Sequence, residues 1–176
     1  MNPNKQKTIE KNAREIRGGI LNSALEVENV LTESIGFLYS DRIDDFSHYR
    51  LIEDILADLT FDKKIKLLKK NIDFEFGTFK RYNSIIKSLD EIRQIRNQIA
   101  HRKISFPWLF NESDIDENDY NVLTEEYIDW KEKCDFEKSG KDDFSFTLEE
   151  LKDYQKKCEL IIVILRIGTS ELLSRA

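Results

Sequence analysis

Between Thr8 and Ser40 the apolar residues Ile16, Ile20, Leu21, Ala24, Leu25, Val27, Val30, Leu31, Ile35 and Leu38 return at helical spacing, and no proline interrupts them. Such a repeat lays one apolar face along a rod and predicts one long helix over 8–40, with Gly18-Gly19 as the expected site of a bend. The signal recurs downstream. After the acidic, loop-like start of "DRIDDFSHYRLIEDILADLT", Leu51, Ile55, Leu56 and Leu59 mark a shorter helix. Thr60 is placed to cap the next helix, "FDKKIKLLKKNI", with Phe61, Ile65, Leu67 and Leu68 facing inward and the lysines outward.

"DFEFGT" over 73–78 reads as a connection. A fourth helix then runs from Thr78 to about Arg102 through Tyr82, Ile85, Ile86, Leu89, Ile92, Ile95 and Ile99, and Pro107 prevents its continuation. The residues that follow change character: aromatic, β-branched and acidic side chains alternate over 104–146. Here "YIDWKEKCDFEK" and "DFSFT" flank the turn "SGKD" as a hairpin. The aromatics Phe106, Trp108, Phe110, Tyr120, Tyr127, Trp130, Phe136, Phe144 and Phe146 exceed what a solvent loop needs, so the element is expected to be ordered and to cover the core. Thr147 and Glu150 have the spacing of a capping box for the last helix, Leu148 to about Ser174, whose "LIIVILRIGTSELL" is apolar enough to be nearly surrounded by protein. The fold class is therefore mainly α, a four- to five-helix bundle with a small β-hairpin insertion before the final helix, in one domain spanning 1–176 with the insertion at about 104–146.

A chain of 176 residues with 6 Gly and 2 Pro suits a single helical domain large enough to bury its own core. No apolar run approaches the roughly 20 residues that cross a bilayer, and "MNPNKQKTIEKN" lacks the apolar centre of a signal peptide. A cytoplasmic location without membrane contact is expected. Cys134 and Cys158 form neither a CxxC motif nor part of a tetrahedral ligand set, and free thiols are the expectation. Only His48 and His101 supply imidazole, and the carboxylates are scattered, so no metal and no other cofactor is expected. His48 lies in the acidic loop-like stretch and reads as a surface residue. The net charge of −6 is uneven: 61–103 holds 12 Lys and Arg against 5 Asp and Glu, leaving 16 against 29 elsewhere. A local basic surface is what a phosphate backbone requires, although lysines on an amphipathic helix are equally ordinary solubilising residues.

The stretch "EIRQIRNQIAHRK", Glu91 to Lys103, concentrates the chemistry. On a helix Arg93, Asn97 and His101 form one i, i+4 stripe, with Arg96 on the adjoining row and the apolar row of Ile85, Leu89, Ile92, Ile95 and Ile99 beside them. The polar strip therefore runs along the edge of the core. Spacing alone also fits a plainer role, in which His101 faces the negative end of the helix dipole for about 0.3–1 kcal/mol and the arginines form surface ion pairs. Glu26 and Glu28 on the first helix are candidates to orient Arg93 or Arg96.

"RNQIAH", Arg96 to His101, closely resembles the motif of the HEPN superfamily: an Arg, about four to six intervening residues of which the first is polar and frequently Asn, and a His, near the end of a long helix. The helical scaffold from about Ile16 onward is similar too, while 104–146 is extra to the minimal HEPN bundle. The resemblance implies metal-independent RNA cleavage by the adjacent 2′-hydroxyl, in a toxin or phage-defence effector. His101 would transfer protons, Arg96 would bind the scissile phosphate, Asn97 would orient one of them, and Arg93, Arg102 and Lys103 would hold flanking phosphates. It further implies a homodimer, since one His per chain cannot serve as both acid and base, and an antitoxin or defence-system partner protein. Lys103 stands where one branch of the family carries a modifiable Tyr, which puts regulation by that route in doubt. The competing readings are a catalytically silent HEPN-like interaction or nucleotide-binding module and a helical transcription-regulator-like protein.

Overall fold

The computed structural model describes residues 3–39, 45–72, 84–105, 133–137 and 144–174. In chain order the elements are α1 (Pro3–Tyr39), α2 (Asp45–Arg50), a π-helical segment (Leu51–Leu56), α3 (Phe61–Ile72), α4 (Ile85–Ala100), β1 (Lys103–Ser105), β2 (Lys133–Glu137), β3 (Phe144–Thr147) and α5 (Leu148–Leu173). The class is mainly helical with a small β element before the last helix, as expected. The hairpin strands pair antiparallel, Cys134 opposite Phe146 and Phe136 opposite Phe144. The third strand, β1, was not expected as such: it adds to the other edge of β2, with Ile104 opposite Phe136, so the sheet order is β1-β2-β3. No helix among the described residues is long and apolar enough to cross a membrane. The expectations for Tyr82, Phe106, Trp108, Phe110, Tyr120, Tyr127 and Trp130 lie outside the described residues.

Two compact units make up the chain: Met1–Leu21 with Arg96–Gln155, and Asn22–Ile95 with Lys156–Ala176. In the first, Ala13, Ile16 and Ile20 of α1, Ile99 of α4, Phe136 and Phe146 of the sheet, and Leu151 and Tyr154 of α5 are buried. Phe146 stacks on Phe144 at 5.6 Å between ring centroids and meets Tyr154 edge-on at 6.4 Å. The glycine pair serves close approach at one of its members. A Cβ on Gly19 would lie 2.8 Å from Cδ1 of Leu151, whereas one on Gly18 would meet nothing within 4 Å. The capping box forms in both directions: the Thr147 N–H donates to Oε2 of Glu150 at 2.7 Å, and the Glu150 N–H to Oγ1 of Thr147 at 3.0 Å.

The second unit is a helical bundle. Its core holds Ala24, Val27, Leu31 and Ile35 of α1, Phe61, Ile65 and Leu68 of α3, Leu89 and Ile92 of α4, and the buried Cys158 with Ile161 and Leu165 of α5. Thr60 caps α3 through its hydroxyl, which accepts from the Lys63 N–H at 3.4 Å.

Four expectations fail in this unit. Leu25, assigned to the inner face of α1, is exposed. Lys64 does not face out: it is buried and its Nζ donates to Oε1 of Glu28 at 2.9 Å. His48 is not on a surface loop; it sits on α2 with its ring 4.2 Å from that of Phe37, in the space the missing Cβ of Gly36 leaves. Finally, α5 is not surrounded. Cys158, Ile161 and Leu165 turn inward, and Leu160, Val163 and Ile167, displaced by two residues and hence about half a turn, are 59%, 51% and 42% exposed.

Candidate functional site

The helix α4 ends at Ala100, two residues before the sequence pattern suggests, and the chain turns at His101 into β1. The physical reason is the pairing of Lys103 with Glu137, which draws the backbone into extended geometry directly after the turn. The motif is thereby split between structures: Arg96 and Asn97 lie on the last turns of the helix, and His101 is the first residue beyond it.

Arg96 and Asn97 are half-buried, and Nη1 of Arg96 donates to Oδ1 of Asn97 at 2.9 Å. No carboxylate pairs with Arg96 among the described residues, and within them its charge is oriented by a neutral amide. His101 is exposed, and no described hydrogen bond, ion pair or ring contact holds its imidazole. A guanidinium fixed by an amide can present paired donors to a phosphate, and an exposed imidazole is a group that can transfer protons.

Arg102, expected at a flanking phosphate, is turned towards the sheet. Its Nη1 donates to the Phe136 carbonyl at 3.0 Å and its guanidinium lies over the Phe144 ring, 5.6 Å from the centroid. The backbone of Lys103 opens β1; its side chain lies outside the described residues.

Arg93 belongs to the helical unit, where its Nη2 meets Oδ1 of Asp90 at 2.6 Å and its Nε lies 3.9 Å from Oδ1 of Asp62. The hydrogen bond from Arg93 holds the Asp90 carboxyl below its ordinary value. The acids weighed as orienting partners do otherwise: Glu28 binds Lys64, and Glu26 is exposed.

One residue of this region went unnoticed in the sequence. Arg17 of α1 donates through Nη2 to the carbonyl of Arg102, and its guanidinium lies over the Phe136 ring at 5.6 Å. Its Nε is buried without a hydrogen-bond partner among the described residues. The available signal was positional, because Arg17 follows Ala13 by four residues and so falls on the buried face of α1.

Comparison with known proteins finds no matching family model, no matching curated protein and no matching solved structure.

Proposed function

We propose that this chain is a metal-independent endoribonuclease of HEPN type, working in the cytoplasm as a toxin or phage-defence effector. The observation that carries the reading is a guanidinium oriented by the neighbouring Asn97 amide, without a described acid to neutralise it, five residues before an exposed imidazole. In the reaction a 2′-oxygen attacks the adjacent phosphorus and the P–O5′ bond breaks, leaving a cyclic phosphate and a free 5′-hydroxyl. His101 takes or delivers a proton, Arg96 stabilises charge on the pentacoordinate phosphorus, and Asn97 keeps Arg96 aimed.

Two proton transfers are needed and each chain brings one motif histidine, so the active form is a homodimer. The exposed stripe of Leu160, Val163 and Ile167 on α5 gives a second copy an apolar face to cover. A neutralising antitoxin or another defence-system protein is the expected further partner.

Purified protein incubated with tRNA and mRNA in EDTA, beside His101→Ala, tests the reading. Cleavage abolished by the substitution supports it. Equal cleavage by both, or none by either, leaves an interaction or nucleotide-binding module as the alternative. Light scattering on the same sample should give twice the chain mass, and an active monomer would remove the dimer from the mechanism.

A further inference from the structure

We propose that Arg17 is a positioning residue for His101, a role that rests on His101 being the proton-transfer group. The imidazole has no described contact of its own, so its location is defined through the backbone that carries it. That backbone is held from two sides one residue later. Arg17 of α1 donates to the carbonyl of Arg102, and the Arg102 side chain reaches the Phe136 carbonyl of β2 at 3.0 Å. Both guanidinium groups converge on Phe136, one over its ring and one on its carbonyl, and Phe136 is fully buried. The turn that presents His101 is thus anchored to a fully buried residue of the sheet's middle strand.

Stability alone does not account for Arg17. It is a half-buried cation without an ion pair among the described residues, and its buried Nε has no acceptor among them; both disfavour folding relative to an apolar side chain of similar length. What the side chain supplies is the fixed location of one carbonyl. Displacement of a reacting group by about 1 Å can cost on the order of 100-fold in rate, so such an anchor matters for chemistry out of proportion to its strength.

The chain contains two histidines, His48 and His101, which lie in different units, and His48 therefore serves as an internal control. The experiment records side-chain NMR spectra of both rings in the full-length protein, in Arg17→Met and in Arg17→Lys, with melting curves and single-turnover RNA cleavage on the same samples. Arg17→Met should stay folded, shift and mobilise the His101 ring while leaving His48 unchanged, and reduce the cleavage rate about tenfold or more with little change in RNA affinity. Arg17→Lys, which restores a charged donor, should recover part of each effect. A folded Arg17→Met with wild-type His101 resonances would overturn the proposal. So would a large loss of melting temperature with both rings perturbed, which would make Arg17 a structural tie. Wild-type protein that fails to cleave RNA would refute the nuclease reading alone, because the His101 resonances still report whether Arg17 positions the ring.

Discussion

Lys64 and Glu28 meet at 2.9 Å between Nζ and Oε1, with side chains only 6% and 17% exposed. Removing one partner leaves the other charged and enclosed, so Lys64→Ala or Glu28→Ala should each destabilise the protein by about 3 kcal/mol, read by urea unfolding. The paired replacement Lys64→Met with Glu28→Leu should recover most of that loss, since two apolar side chains require no compensation there. A double variant as unstable as the sum of the singles would contradict this.

Arg96 and Arg102 should separate cleanly. Arg96→Lys keeps the charge but loses the paired donors, and is expected to slow cleavage by about two orders of magnitude at unchanged melting temperature. Asn97→Ala should act in the same sense, by about tenfold, because it frees the guanidinium it now orients. Arg102→Ala instead loses its bond to the Phe136 carbonyl and its place over Phe144, which should cost about 1–2 kcal/mol of stability and, because that bond anchors the turn carrying His101, also slow cleavage by the folded protein, by no more than about tenfold.

The adjacent glycines should respond with opposite signs. Gly18→Ala adds a methyl group to open space on a helix and should stabilise by about 0.5–1 kcal/mol. Gly19→Ala sets its Cβ 2.8 Å and 3.0 Å from the two methyl carbons of Leu151, and overpacking of about 1–3 kcal/mol should exceed the helix gain. Thermal unfolding of the two variants decides the matter.

Acid should weaken the helical unit through two carboxylates. The hydrogen bond from Arg93 lowers the pKa of Asp90, and that from Lys157 lowers the pKa of Glu91. A depressed folded-state pKa gives stability that is complete above the unfolded value and disappears as pH falls through the folded one. The loss therefore begins near about pH 4, where unfolded carboxylates titrate, and proceeds below it. Both side chains are about two-fifths exposed, so the effect should be small and should shrink in salt. Melting curves of Asp90→Asn and Glu91→Gln should show a flatter acid limb than the parent.

What could be read in advance followed local rules. Thr60 and Thr147 were recognisable as caps because a hydroxyl at the right offset is sufficient, and the 144–147 strand because "FSFT" alternates before a helix start. The inner rows of α1, Leu25 apart, and of α4 were recoverable from period alone. What escaped depends on partners distant in sequence. Lys64 is one of five lysines in α3, and only its register with Glu28, 36 residues earlier, distinguishes it. Arg17 and Arg102 are 85 residues apart, so no local pattern joins them. The end of α4 was misplaced for a similar reason: "HRKIS" favours neither state strongly until β2 arrives to pair with it.

That last dependence sets an order of events. The helices need only local contacts and form early, but β1 must wait for a strand that begins 28 residues after it ends, and the Arg102 side chain waits for the same strand. During synthesis the turn carrying His101 consequently lacks its anchor on the sheet, leaving only the contact with Arg17, until Phe136 has left the ribosome. The stretch from Arg96 to His101 is translated well before the geometry that would arm it, a built-in delay for any chain whose finished form attacks RNA.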